Sequence, residues 1–131
     1  MNAMKINESQ ENYLERILLL QQEKGYVRSV DIADALGVTK PSVSHAMKLL
    51  RQNGYILMGD DNLITLTPAG NDIAQRMVER HYAIARILMH MGVAKDIAYE
   101  DACKIEHDIS EESFEALRRF ACEHLEIECD R

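Results

Sequence analysis

Residues 29–48 read SVDIADALGVTKPSVSHAMK, and their spacing decides the fold. Ala33 is small enough for two helices to approach closely. Gly37, four residues on, supplies the left-handed backbone conformation that a bulkier residue resists. Ser29 is expected to cap a short helix ending near Leu36. Thr39 caps the next, with Pro41 in its first turn, where a missing N–H costs nothing. That second helix runs to about Asn53 and stops at Gly54. Val38 and Val43 are expected to be buried on either side of the turn, with Ile32, Leu36, Met47 and Leu50 completing the core. Thr39, Lys40, Pro41, Ser42, Ser44, His45, Lys48 and Arg51 then fall at the start or on the outward face of the second helix. A helix-turn-helix presents such residues to phosphates and base edges in the major groove of double-stranded DNA. The other reading of the spacing is a tri-helical core that packs without touching DNA.

Charge distribution separates the two. The chain has 131 residues and a net charge of -7, which argues at first sight against a nucleic-acid partner. Phosphates are neutralised locally, however. No acidic residue lies between Asp34 and Asp60, while Lys40, Lys48 and Arg51 fall inside that window. Residues 1–74 carry a net of -2 and residues 75–131 a net of -5, so the acidic surplus sits mostly away from the helix-turn-helix.

Working outward, Ser9 is placed to cap a helix over about 10–24, closed by Gly25. After Gly54, the apolar runs 55–58 and 63–66 flank the polar tip Gly59-Asp60-Asp61-Asn62 and read as a β-hairpin. The acidic tip is poorly suited to lie on a phosphate. Thr67-Pro68 opens a long helix reaching about Met91, a further helix covers about 95–108, and Ser110 caps a last one to about His124. Glu111 and Glu112 favour that last helix start. The fold class is therefore mainly α, with a winged helix-turn-helix domain over 1–73 followed by a helical domain over 74–131.

No run of 18 apolar residues exists, so no membrane span is expected. The start MNAMKINESQENY lacks the apolar stretch of a secretory signal. Three cysteines without scaffold spacing suit reduced thiols and a cytoplasmic protein. A metal hydrolase using Glu106 as base is the enzymatic rival. The chain lacks an HExxH pattern, a glycine-rich phosphate loop and a nucleophile elbow, so the expectation is that it is not an enzyme.

Cys103, Glu106 and His107 stand at positions i, i+3 and i+4 of a helix, where sulfur, carboxylate and imidazole share a face. These are usual ligands of first-row transition metals, although such a trio is by itself more often an ordinary helix face. Asn12, Glu15 and His81, each taken singly, read as surface residues. Cys122, His124 and Cys129 read as a buried cysteine, an exposed histidine and a tail thiol rather than a zinc clip.

Taken in order, ENYLE, ERHY and DACKIEHDIS after this helix-turn-helix and wing resemble the diphtheria-toxin-repressor and manganese-transport-regulator family, over essentially the whole chain. The resemblance implies a homodimeric, metal-dependent regulator that represses metal-uptake genes. Its ligands would be Asn12, Glu15, His81, Cys103, Glu106 and His107. Asn12 replaces an aspartate or methionine of the two branches, Cys103 is like the iron branch, and Glu15 is like the manganese branch. Ala85 and Tyr99 stand where the iron branch has ligands of an ancillary site, and a chain ending at Arg131 implies no SH3-like third domain. A thiolate favours iron(II), cobalt or zinc over manganese, so iron(II) is expected slightly ahead of manganese(II), with zinc or cobalt binding in vitro. Ligation would bias the orientation of two DNA-binding domains towards operator half-sites. The apolar positions Ile84, Ile87, Leu88, Met91, Phe114, Leu117, Phe120 and Ala121 offer a dimer surface or an intrachain core. The alternative is a winged-helix regulator that senses an organic ligand or a protein partner, without a physiological metal.

Overall fold

Short-range capping chemistry sets where the helices begin. In the computed structural model, which describes residues 7–125, the order is α1 (Glu8–Lys24), α2 (Ser29–Leu36), α3 (Lys40–Gln52), β1 (Ile56–Met58), β2 (Ile64–Leu66), α4 (Pro68–His90), α5 (Lys95–Asp108) and α6 (Glu111–His124). Thr39 and Ser110 cap α3 and α6 as the sequence implies, accepting from the Ser42 and Ser113 N–H groups. Two caps differ from expectation. The α1 cap is Asn7 rather than Ser9, its Oδ1 accepting from Gln10 N–H at 2.8 Å. At α2 the cap position is Arg28, not Ser29, and Asp31 accepts the Arg28 backbone N–H at 2.9 Å. In both places a side-chain oxygen three residues from the N–H takes it and fixes the start. Gly25 and Gly37 take the left-handed conformation at the ends of α1 and α2.

The chain divides into two units, Met1–Met77 and Val78–Arg131, the division falling within α4. In the first unit α1 packs on α2, α3 and β2, and α3 packs on α2 and β1. Leu14, Ile17, Ile32, Val43, Met47, Leu50, Ile56 and Ile64 are almost wholly buried. Each such side chain contributes about 1.5–3 kcal/mol on removal from water. The strands pair antiparallel, with Leu57 opposite Thr65, and Ile64 N–H donates to Val27 O at 2.8 Å, fastening the hairpin to the segment after α1. Val38 departs from expectation: it is 37% exposed, because the turn at Gly37 directs it outward while Val43 alone fills the core there.

In the second unit the core is built on small residues. Ala85, Ala98 and Ala102 are completely buried and join Ile84 and Phe114. Arg80 is buried too: its Nη2 donates to Ile109 O at 2.9 Å and its guanidinium lies 5.0 Å from the Phe114 ring centroid. It thereby ties α4 to the α5–α6 link. The candidate dimer positions split: Ile84, Phe114 and Ala121 are core, Ile87 and Leu88 half-buried, and Met91, Leu117 and Phe120 exposed. Cys103 on α5 and Cys122 on α6 are both half-buried. Cys129 lies outside the described residues. Among the described residues no helix is long and apolar enough to cross a membrane.

Candidate metal centre and nucleic-acid interface

The α3 sequence KPSVSHAMKLLRQ places its large apolar side chains at Val43, Met47 and Leu50, a helical spacing that buries one face and leaves the other in solvent. Thr39, Lys40, Pro41, Ser42, Ser44, His45, Lys48 and Arg51 are all exposed. Thr39 Oγ1 also donates to Ser42 Oγ at 2.9 Å, which orients the helix start. Beside this face lies a cleft of about 440 Å³ whose charged lining is Arg28, Lys48 and Arg51. Arg28 was outside the acid-free window because Asp31 and Asp34 follow it. The tip residue Asp61 is turned back, its Oδ1 accepting Leu63 N–H at 3.1 Å.

The second site is organised by one carboxylate. Glu106, on α5, has no solvent exposure. Its Oε1 lies 3.7 Å from Nδ1 of His81 on α4, and its Oε2 lies 3.5 Å from His107 Nε2. Burial of a carboxylate is costly unless charge and hydrogen bonds compensate it, and here an imidazole stands by each oxygen. The His107 side chain is 2% exposed and that of His81 12%. Donor atoms of His81, Cys103 and Glu106 lie within 4.8 Å of one another. Two ligands on opposite sides of one first-row ion are roughly 4–4.5 Å apart, so this N, S, O donor set fits such an ion after a small contraction. Asn12 is half-buried and Glu15 buried on α1, in the other unit. Tyr99, against which His81 packs at 5.5 Å between ring centroids, and the fully buried Ala85 serve as packing groups here.

Comparison with known proteins matches both units. The model for the iron dependent repressor N-terminal DNA binding domain covers residues 5–61, and that for the iron dependent repressor metal binding and dimerisation domain covers residues 67–126. The transcriptional regulator MntR of Salmonella typhimurium is 38% identical over 114 residues, 87% of this chain and 73% of that protein. The HTH-type transcriptional regulator MntR of Geobacillus kaustophilus is 39% identical over 102 residues, 78% of this chain and 72% of that protein. Among solved structures, the manganese regulator SloR aligns with a TM-score of 0.76 at 28% identity, over 91% of this chain and 55% of that one. T. acidophilum IdeR aligns with a TM-score of 0.74 at 27% identity, over 92% and 56%. This chain therefore spans little more than half the length of those two structures. With a helix-turn-helix in one unit, a nitrogen, sulfur and oxygen donor cluster in the other and a repressor-family match over each, the chain belongs to the diphtheria-toxin-repressor and manganese-transport-regulator family of metal-dependent transcriptional regulators.

Proposed function

We propose that this regulator acts in the cytoplasm as a homodimer on operator DNA, with regulation rather than catalysis as its role. The functional halves are residues 1–73, which read DNA through Thr39, Lys40, Pro41, Ser42, Ser44, His45, Lys48 and Arg51, and residues 74–131, which dimerise. The ligand set is Asn12, Glu15, His81, Cys103, Glu106 and His107. The observation that carries this reading is the fully buried Glu106 carboxylate with an imidazole beside each oxygen. When bound, the ion supplies a common positive centre for these donors. Cys103 takes part as thiolate and the two histidines as neutral imidazoles, so uptake releases protons and weakens in acid. Because α1 and α5 both contribute donors, ligation favours one orientation of the two DNA-binding halves over others, a population shift set by differential affinity. The exposed Met91, Leu117 and Phe120 are the side chains offered to a second copy.

Ranking iron(II) ahead of manganese(II) rests on the Cys103 thiolate alone. The similarity to the manganese regulator SloR pulls the choice the other way. Operator binding across iron(II), manganese(II), cobalt(II) and zinc(II), with a chelator control at fixed salt, tests both points. The expected result is a gain in affinity of roughly 5–150-fold with the physiological ion. Unchanged affinity with every ion overturns metal control and leaves an organic or protein effector. Replacement Cys103→Glu is expected to shift preference towards manganese(II).

A further inference from the structure

The cleft beside α3 gathers residues from three places in the first unit. Lys48, Arg51 and Ser44 come from α3, Arg28 from the start of α2, and Asn62 from the hairpin tip. No carboxylate lines it, so three cations share one concavity, a concentration of like charge that a polyanion relieves. Met47 and Met58 add an apolar floor that suits the carbons of deoxyribose. The surface is continuous with the exposed face of α3.

Two carboxylates close to it in sequence, Asp31 and Asp61, hold partners other than the cleft's side-chain cations. Asp31 Oδ1 accepts from Lys24 Nζ at 2.7 Å and its Oδ2 from Arg28 N–H at 2.9 Å. Asp61 caps the hairpin turn through Leu63 N–H. Tyr26 braces the two basic side chains, with Lys24 Nζ 5.5 Å and the Arg28 guanidinium 5.6 Å from its ring centroid.

We propose that this cleft seats the sugar–phosphate backbone of the operator duplex, with Arg28 as a phosphate ligand outside the helix-turn-helix and Lys24 as a positioning residue that keeps Asp31 from pairing with it. The inference rests on the DNA-reading role of α3. Arg28 adds affinity and orientation but no base specificity, since phosphate contacts position a protein without reading sequence.

The test uses the full chain at saturating metal, with variants Arg28→Gln, Lys24→Gln, Lys24→Gln/Asp31→Asn and Lys48→Ala, each checked for an unchanged thermal midpoint. Arg28→Gln is expected to weaken binding roughly three- to tenfold, equally on operator and non-operator duplex. It should also make the slope of log K against log salt shallower by about 0.9. Lys24→Gln should weaken binding less, and the added Asp31→Asn should restore it, which a merely structural Lys24 would not allow. An unchanged affinity and slope in Arg28→Gln, with Lys48→Ala still weakened, overturns the cleft while leaving the α3 reading intact. If Lys48→Ala is also unaffected, the α3 reading falls with it. A loss in Arg28→Gln confined to the operator sequence likewise overturns the phosphate role.

Discussion

The first unit buries large aliphatic side chains such as Leu14, Ile17, Ile32 and Leu50 and keeps its candidate DNA contacts on the exposed face of α3, whereas the second buries Glu106 and Arg80 among alanines. On α3, core and candidate DNA contacts are different residues on opposite sides of one helix. In the second, the candidate metal donors are themselves interior. The contrast teaches where fold and function separate. Surface changes on α3 should alter binding and leave stability alone, while changes at Glu106 should alter both.

The strongest challenge to that division is Gly70, at the start of α4. A Cβ there would overlap the carbonyl oxygen of Tyr55, a backbone atom with no rotamer to escape into. Gly70→Ala should destabilise the first unit by about 3 kcal/mol or more, read as a lowered denaturant midpoint. Wild-type stability would mean that the start of α4 is not packed as described.

Glu106→Leu comes next. Removing the carboxylate strips the buried His81 and His107 imidazoles of the group they face, and is expected to lower the stability of the metal-free protein by about 3 kcal/mol. The same change should abolish the metal-induced rise, which in the unaltered protein reaches about 2.7 kcal/mol at a hundredfold excess of ion over Kd. Calorimetry with and without manganese(II) reads both effects. A retained metal-induced shift would remove Glu106 from the centre.

Lys48→Ala should lower DNA affinity by roughly three- to tenfold while changing stability by no more than about 0.5 kcal/mol. A large loss of stability would place Lys48 in the core economy rather than on the binding face.

The smallest effect belongs to the Lys24–Asp31 pair, whose side chains meet at 2.7 Å. Hydrogen bonding from Lys24 holds Asp31 below its ordinary value of about 3.8. Its contribution is therefore present above that value and lost as pH falls through the lowered one. Asp31→Asn should lower stability slightly near neutrality, with the two profiles converging as pH falls below about 4; profiles that coincide at every pH would show that the pair contributes nothing.

Much of the fold was legible because the interactions that set it are local. Thr39 before Lys40-Pro41 and Ser110 before Glu111-Glu112 carry their own capping chemistry, and Gly25 and Gly37 end helices through conformations available to glycine. The trio Cys103, Glu106 and His107 was visible as a spacing, yet spacing could not tell a solvated face from an interior one. His81 carried no signal of its own, since Glu79-Arg80-His81 reads as a charged surface stretch. Arg28 was hidden by the acidic residues beside it.

What the sequence determined by itself is the order of elements, the helix-turn-helix with its acid-free window, and the i, i+3, i+4 donor trio, all fixed by contacts within a few residues. Tertiary structure alone decided that Val38 faces solvent, that Glu106 lies buried between imidazoles of α4 and α5, that Lys24 pairs with Asp31, and that Arg28 lines the cleft. The physical reason is that burial and charge pairing depend on which elements meet. Sequence neighbours therefore mispredict them wherever a partner arrives from elsewhere in the chain.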